Sequence, residues 1–320
     1  MGPAAYQTRL LPGDAGGPAA DVLLVRPAAF GPNAATAASN AFQRAWRGPP
    51  SGLQRRVLAE FRAVVVALRR AGVRAHVFQD TPSPRRPDAI FPNNWVSFHA
   101  DGTAILYPLA AANRRPERRT EFLAALGDRG FRIRRVVDLT PLEDRGWFLE
   151  GTGSLVLDRA RRQAFAALSP RTHPAALARF AAATGYRVHA FPTRGPGGRP
   201  VYHTNVLLAL GQGFAVVAAG VIPGAHRRAV LGALAAGGRE VIRLDAAQLG
   251  AFAGNVLELA GRQGPCIALS ARAAAALGPT LRRRLARHGE LVPVPIPTIE
   301  RVGGGGLRCL LAELYLPGGG

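Results

Sequence analysis

Short apolar runs recur along this chain in a fixed order. One opens each unit, at 95–98, 153–157, 205–210 and 255–259, and after a turn a second follows at 104–107, 164–167, 214–217 and 266–269. Two apolar runs separated by a few turn residues predict a β-hairpin. Stretches rich in Arg and Ala come next, at 114–126, 174–184, 226–236 and 271–287, with apolar residues three and four apart as on one face of a helix. A short alternating strand closes each unit, at 131–137, 186–191, 240–244 and 290–296. A fifth unit is completed across the chain ends, where 306–317 is expected to pair with 22–26 and with the helix and strand of 54–68 and 73–79. Strand, strand, helix, strand, five times over, predicts an α/β propeller with pseudo-fivefold symmetry. A single catalytic domain spanning 1–320 is expected, with ends at 1–20 and 318–320 that fray.

At the mouth of the opening strands stand five polar residues, Asn94, Glu150, His203, Asn255 and Cys309, at intervals of 56, 53, 52 and 54 residues. Equivalent positions in a closed ring face a common axis, so this register would bring a carboxylate, an imidazole and a thiol together. Such a set suits nucleophilic catalysis. Cys309 follows four consecutive glycines, which fit either a flexible loop ahead of a core cysteine or a backbone that lets N–H groups and a substrate approach a thiol. Cys266 lies within a strand and reads as core. A lone histidine such as His203 is more often structural, but its equivalence with Cys309 gives it a second reading. Glu150, between apolar flanks, points inward and needs a partner, which an imidazole or a polar substrate would supply. The other six histidines show no metal-ligand spacing, so no metal is inferred.

Two further groups of amides stand out. Asn93 and Asn94 precede Trp95, where they fit a turn as well as a binding site. Asn33, Thr36, Asn40 and Gln43 are spaced by three, four and three, which places them on one helical face, directed either at a substrate or at solvent.

Charge changes the picture less than its size suggests. The 41 basic residues against 20 acidic ones leave a net charge of +21, yet all 41 are arginine and most fall on the helices, the outer layer of a propeller. No basic motif interleaved with aromatics accompanies them, so a solvated outer face is expected and no nucleic acid partner. The first residues lack a charged segment followed by an apolar core, and no signal peptide is expected. The apolar stretch 206–222 is broken at Gly211-Gln212-Gly213 and falls short of the ~20 residues a bilayer span needs, so the chain is expected to be soluble and without a membrane partner. Two cysteines form no disulfide framework, which suits a reducing compartment, by default the cytoplasm.

Taken in order, the segments Arg26-Pro-Ala-Ala-Phe-Gly-Pro-Asn33 with Asn40-Ala-Phe-Gln43, Phe91-Pro-Asn-Asn-Trp-Val-Ser-Phe-His99, Leu149-Glu-Gly-Thr-Gly153, Tyr202-His-Thr-Asn205 and 303–309 span nearly the whole chain. Together they resemble the guanidine-modifying enzymes of the pentein fold, and among these the arginine-deiminase-related, citrulline utilization hydrolase group. The resemblance implies Cys309 as nucleophile with thiolate character near His203, His203 as general acid/base, Glu150 as the carboxylate that pairs with it, and no cofactor. It also implies a small-molecule substrate bearing a ureido or guanidino group. In the deiminases two aspartates hold the cationic guanidinium; here those positions carry Asn94 and Asn205. An amide offers a donor as well as an acceptor but no charge, which favours a neutral ureido group and hence citrulline over arginine. An arginine deiminase or dimethylarginine hydrolase remains the alternative enzyme. A pentein that only binds RNA or the ribosome is the alternative without catalysis, against which the retention of Glu150, His203 and Cys309 together argues.

Overall fold

The computed structural model describes residues 17–318. Fifteen strands in this range form five three-stranded sheets. In chain order they are β1 (Asp21–Arg26) and β2 (Arg74–Gln79); β3 (Val96–Phe98), β4 (Thr103–Leu106) and β5 (Arg135–Asp138); and β6 (Val156–Asp158), β7 (Gln163–Ala167) and β8 (Arg187–Phe191). There follow β9 (Leu208–Leu210), β10 (Phe214–Val217) and β11 (Glu240–Arg243); β12 (Leu257–Gly261), β13 (Gly264–Ser270) and β14 (Glu290–Val294); and β15 (Ala312–Leu314). Each sheet pairs an inner hairpin antiparallel with an outer strand added parallel after a helical crossover. The sheet β15-β1-β2 obeys the same rule across the chain ends, with Leu23 opposite both Ala312 and His76. Inner strand β15 packs beside β3, β6 beside β9, and β9 beside β12. The five units read from the apolar runs are thus the blades of one ring.

The central strand of a blade is apolar on both faces because each face meets a different neighbour. On β1, Val22 and Leu24 enter one core while Leu23 and Val25 enter the next. On β7 the division falls between Ala164 and Ala166 on one side and Phe165 and Ala167 on the other. Successive side chains of a strand point to opposite faces, so a strand buried on both sides reads as a continuous apolar run rather than an alternating one. The longest helix, Pro50–Arg70, starts with proline in its first turn and buries Leu53, Val57, Phe61, Val64, Val65 and Leu68 against the closing blade.

The structure redraws several element limits. The opening strands begin later than their apolar runs, since 151–154 and 204–207 form single helical turns ahead of β6 and β9. At the crowded hub these turns satisfy buried backbone donors locally, as in Leu155 N to Gly151 O at 2.9 Å. The helix expected over 114–126 is divided into Ala112–Glu117 and Glu121–Gly127, with Pro116 supplying no N–H. That expected over 271–287 divides at Gly278, whose φ is +64°, followed by Pro279. Of the ends expected to fray, 1–16 and 319–320 lie outside the described residues. Within them the chain is held: Ala19 is buried, Ala19 and Ala20 accept backbone hydrogen bonds from Ala260 and Arg74, and Gly318 bridges Phe131. Among the described residues no helix is long and apolar enough to cross a membrane.

The closing blade provides a test of this packing. Leu23 is fully buried on β1 between the two chain ends, and Leu23→Ala should destabilise the protein by about 2–5 kcal/mol, read as a lower urea midpoint. A loss well under about 1 kcal/mol would contradict the closure of the ring through β15 and β1.

Candidate active site at the hub

The turns that lead into the inner strands carry the repeat-marker residues. Glu150 caps the turn Gly151–Ser154, His203 caps Thr204–Leu207, Asn94 ends the turn Pro92–Asn94, and Cys309 lies in the turn Leu307–Leu310. All four are buried. His203 Nε2 lies 2.8 Å from Glu150 Oε2. The same oxygen meets Arg171 Nη1 at 3.3 Å and Arg114 Nη1 at 3.4 Å, while Oε1 accepts the Ala110 N–H at 3.1 Å.

These contacts decide the charge states. Burial opposes ionisation of Glu150, but Arg171, the His203 hydrogen bond and Arg114 together outweigh it and hold the carboxyl well below its usual range. Burial pushes His203 down to about 4 in spite of Glu150. The ring is therefore neutral at pH 7, and because a carboxylate only accepts, its proton sits on Nε2 and leaves Nδ1 as the base. Gly153 makes room for this arrangement: a Cβ there would stand 2.7 Å from the His203 ring and from Asn94 Nδ2. The Leu149-Glu-Gly-Thr-Gly153 motif thus places the carboxylate and clears space for its partner in one turn.

Cys309 Sγ lies 3.4 Å from Asn255 Nδ2 and 3.7 Å from Asn205 Nδ2. Burial pushes this thiol up, against the Asn255 hydrogen bond, the charge of Arg308 and weaker hydrogen bonds from the Gly306 backbone and Asn205 that pull it down. The expected thiolate character is thus not the resting state; without a cationic ring or an incoming charge nearby, the buried sulfur keeps its proton. Cys266, in a strand of the core, is pushed up to about 11 by burial and by Glu290 and Glu258.

Asn94, His203 and Cys309 open on one narrow cleft, walled by Thr36, Asn40, Asp88, Phe91, Arg114, Arg171 and Tyr202 and by Gly303 and Gly305 of the glycine run. Glu150 lies behind it, reached through His203. Asn94 belongs both to a turn and to the cleft: its Nδ2 donates to Asn93 Oδ1 at 3.1 Å and its Oδ1 accepts from Arg114 Nη2 at 3.0 Å. Asn93 is buried beside it and is not a cleft wall; its Nδ2 has no hydrogen-bond partner. Asn205 sits at the sulfur rather than on the cleft wall.

The segment around 33–43 is not the single helical face expected of it, although Thr36 and Asn40 do wall the cleft. Only Ala34–Ala37 is helical, so Asn33, Thr36, Asn40 and Gln43 do not share one long helical face, and the first three are buried. The Asn40 amide donates to the carbonyls of Gly303 and Gly304 at 3.3 and 3.2 Å, which ends the helix and straps this segment to the glycine run. Gln43 bonds the Asn33 carbonyl and the Thr36 hydroxyl and lies away from the cleft wall. Three cleft residues carried no distinguishing signal: Arg114 and Arg171 among 41 arginines, and Asp88; Tyr202, marked only as part of the Tyr202-His-Thr-Asn205 segment, donates its hydroxyl to Gly304 O at 2.5 Å. Among the described residues no group of three or more His, Cys, Asp or Glu is placed to hold a metal ion.

Five ββαβ blades about one hub, with a buried Glu–His pair and a cysteine on a shared cleft, define the guanidino-modifying hydrolases of the pentein fold. Residues 26–316 match the family model described as N,N dimethylarginine dimethylhydrolase, eukaryotic, and the chain belongs to that family. Among solved structures it is similar to apo ArgZ, an arginine dihydrolase from the ornithine-ammonia cycle in Cyanobacteria, with a TM-score of 0.73 and 16% identity over 93% of this chain and 41% of ArgZ. This chain therefore spans about two fifths of that protein. The N-terminal domain of ArgZ, covalently bonded to a reaction intermediate, matches with a TM-score of 0.72 and 16% identity over 93% of this chain and 99% of that domain. A variant dimethylarginine dimethylaminohydrolase, as an adduct with S-methyl-L-thiocitrulline, has a TM-score of 0.63 and 15% identity over 92% and 99%. At such identities the structural likeness is one of fold. No curated protein matches the chain in sequence.

The neutral buried imidazole predicts a pH dependence of stability. His203 is depressed to about 4 in the folded chain against an ordinary value near 6.5, so the unfolded chain binds more protons between these values. The contribution is fully present above about pH 6.5 and is lost as pH falls toward about 4. A melting-temperature series should show wild type losing more stability over this window than His203→Asn, and parallel curves would contradict a neutral buried His203.

Proposed function

We propose that this chain hydrolyses the ureido group of a citrulline-like amino acid through a covalent intermediate on Cys309. The observation that carries the reading is that, among the described residues, the side chains hydrogen-bonded to the sulfur are amides and not carboxylates. Asn94 and Asn205 are uncharged, and the charge of Glu150 is already shared by Arg114, Arg171 and His203. A guanidinium would have to compete with two arginines for that carboxylate, whereas a neutral ureido group can exchange donors and acceptors with amides.

In this mechanism Cys309 Sγ attacks the ureido carbon as its proton passes to His203. The tetrahedral adduct collapses, His203 returns that proton to the departing amine, and a thiocarbamate remains on Cys309. Water then adds, giving a proton to His203. The C–S bond breaks, the sulfur regains the proton, and a carbamic acid leaves to lose carbon dioxide and amine or ammonia. Glu150 holds the imidazole and stabilises its transient cation. Of the charged residues on the cleft wall, Asp88 is assigned to the substrate ammonium, and Arg114 and Arg171, which also reach Glu150, to its carboxylate, matching charge for charge. The five blades act here as a single catalytic domain, and a working thiol suits a reducing compartment such as the cytoplasm.

A second reading is favoured by the family description and by the named neighbours, one an arginine dihydrolase and the other a dimethylarginine dimethylaminohydrolase. It takes the substrate to be a guanidinium compound and uses the same Cys309, His203 and Glu150. Ammonia or amine release from citrulline, arginine and methylated arginines separates the two. Wild type should favour citrulline in kcat/KM, and Cys309→Ser should abolish turnover while leaving the fold intact. Two charge-assisted hydrogen bonds replaced by neutral ones correspond to roughly one to two orders of magnitude in selectivity, so Asn94→Asp, alone or with Asn205→Asp, should move preference toward arginine. A wild type that handles arginine at least as well as citrulline would overturn the ureido assignment in favour of the second reading.

A further inference from the structure

Asn255 is the one repeat-marker residue with no part in the reaction above, although it is buried at the same hub. Its Oδ1 accepts the Arg308 N–H at 3.0 Å, and its Nδ2 donates to the Asn205 carbonyl at 2.8 Å. One end of the amide therefore meets a backbone donor and the other a backbone acceptor. Turning it over would set N–H against N–H and oxygen against oxygen, so the backbone fixes its orientation. That orientation leaves the second Nδ2 hydrogen for Cys309 Sγ, at 3.4 Å. Asn205 is different, with Nδ2 at 3.7 Å and Oδ1 at 3.8 Å from the sulfur, close enough to serve a thiol or a thiolate by either end.

The glycine run is shaped around Asn255. A Cβ on Gly306 would stand 2.5 Å from Asn255 Oδ1, so glycine at this position is what lets the amide reach the backbone of the cysteine turn. The Cys309 N–H closes that turn on Gly306 O at 3.1 Å. One side chain thus ties the Asn205 turn, the Gly306–Arg308 backbone and the sulfur together.

We propose that Asn255 is a positioning residue that holds Cys309 and donates a preorganised hydrogen bond to its sulfur as the thiolate forms. When the S–H bond breaks, the proton goes to His203 during turnover, or to buffer when the electrophile is an added alkylating reagent, and the negative charge left on sulfur meets Nδ2–H. Burial pushes the Cys309 thiol up, and the Asn255 amide leads the groups that pull it back. The part assigned to Asn255 in turnover rests on the function proposed above, but the hydrogen bond can be measured without any substrate.

The test is alkylation by iodoacetamide across a pH series, with Cys309 and Cys266 resolved by peptide mass spectrometry. In this reaction the thiolate forms a C–S bond, iodide leaves, and the thiol proton goes to buffer. Asn255→Ala should slow Cys309 alkylation near neutral pH by about ten- to a hundred-fold and move its midpoint to higher pH, the loss expected for one hydrogen bond to a charge. Asn255→Asp keeps an acceptor for the Arg308 N–H but replaces the donor with a negative charge, and should move the midpoint further. Cys266 serves as the internal control and should be unchanged in both. Circular dichroism reports folding; should neither variant fold, Asn255→Ser, which also removes the Nδ2 donor, carries the same expectation as the alanine. Unchanged Cys309 midpoints in a folded variant, or an equal change at Cys266, overturn the proposal. Should wild type process no ureido or guanidino compound while the Asn255 variants show the shift, the proposed function falls and the Asn255 contact stands; wild-type activity with no shift in the variants does the reverse.

Discussion

The hub is organised by one carboxylate that water cannot reach. Leaving a buried charge unpaired costs several kcal/mol, so Glu150 requires partners. Its partners come from different parts of the ring: Ala110 and Arg114 from the connection between β4 and β5, Arg171 from that between β7 and β8, and His203 from the turn before β9. None of these contacts is local along the chain, and those from Ala110, Arg114 and His203 form only when neighbouring blades are docked, while Arg171 belongs to the same blade as Glu150. Closing the ring and assembling the cleft are on this account one event. Arg171 extends the network outward, through the Thr36 carbonyl and Ser39 hydroxyl, to the segment that Asn40 straps to the glycine run.

The same burial sets the resting chemistry. Ionic forms are disfavoured wherever no opposite charge is already in place, so the imidazole is neutral and the thiol protonated, while the well-partnered carboxylate stays charged. In the mechanism proposed above, a neutral Cys309 and a neutral His203 exchange one proton between them, and no net charge has to enter or leave the hub. Amides then do what charges would do in a wetter site. Asn94 accepts from Arg114, and Asn205 and Asn255 offer N–H groups to the sulfur.

Much of this architecture could be read from residue order. The period of the marker residues follows from the ring, because one blade is one supersecondary unit and cannot bury both sheet faces without a neighbour on each side. That is why β1, β4, β7 and β13 read as continuous apolar runs and why the helix Pro174–Thr184 falls where its three-four spacing puts it. Where local patterns failed, a contact from elsewhere in the ring or a single breaking residue intervened. The turns at 151–154 and 204–207 overlap the apolar runs 153–157 and 205–210 that predict strands, but they are wound into helix at the crowded axis. The helix expected across 33–43 stops after one turn because the Asn40 amide binds glycine carbonyls more than 260 residues away.

Sequence alone determined the blades, their number and their order, because periodicity and turn chemistry are properties of neighbours along the chain. It also determined which residue types reach the axis, since register in a closed ring follows from repeat length. What only the tertiary structure decided is which arginines matter and which state each group holds. Arg86, Arg239 and Arg308 are also buried against carboxylates; what sets Arg114 and Arg171 apart is that the carboxylate they reach is Glu150. The protonation of His203 and Cys309, and the direction in which Asn255 points its amide, depend likewise on desolvation and on partners 50 or more residues away. Such quantities are set by the sum of charges and dipoles around a buried atom, and no local stretch of chain contains that sum.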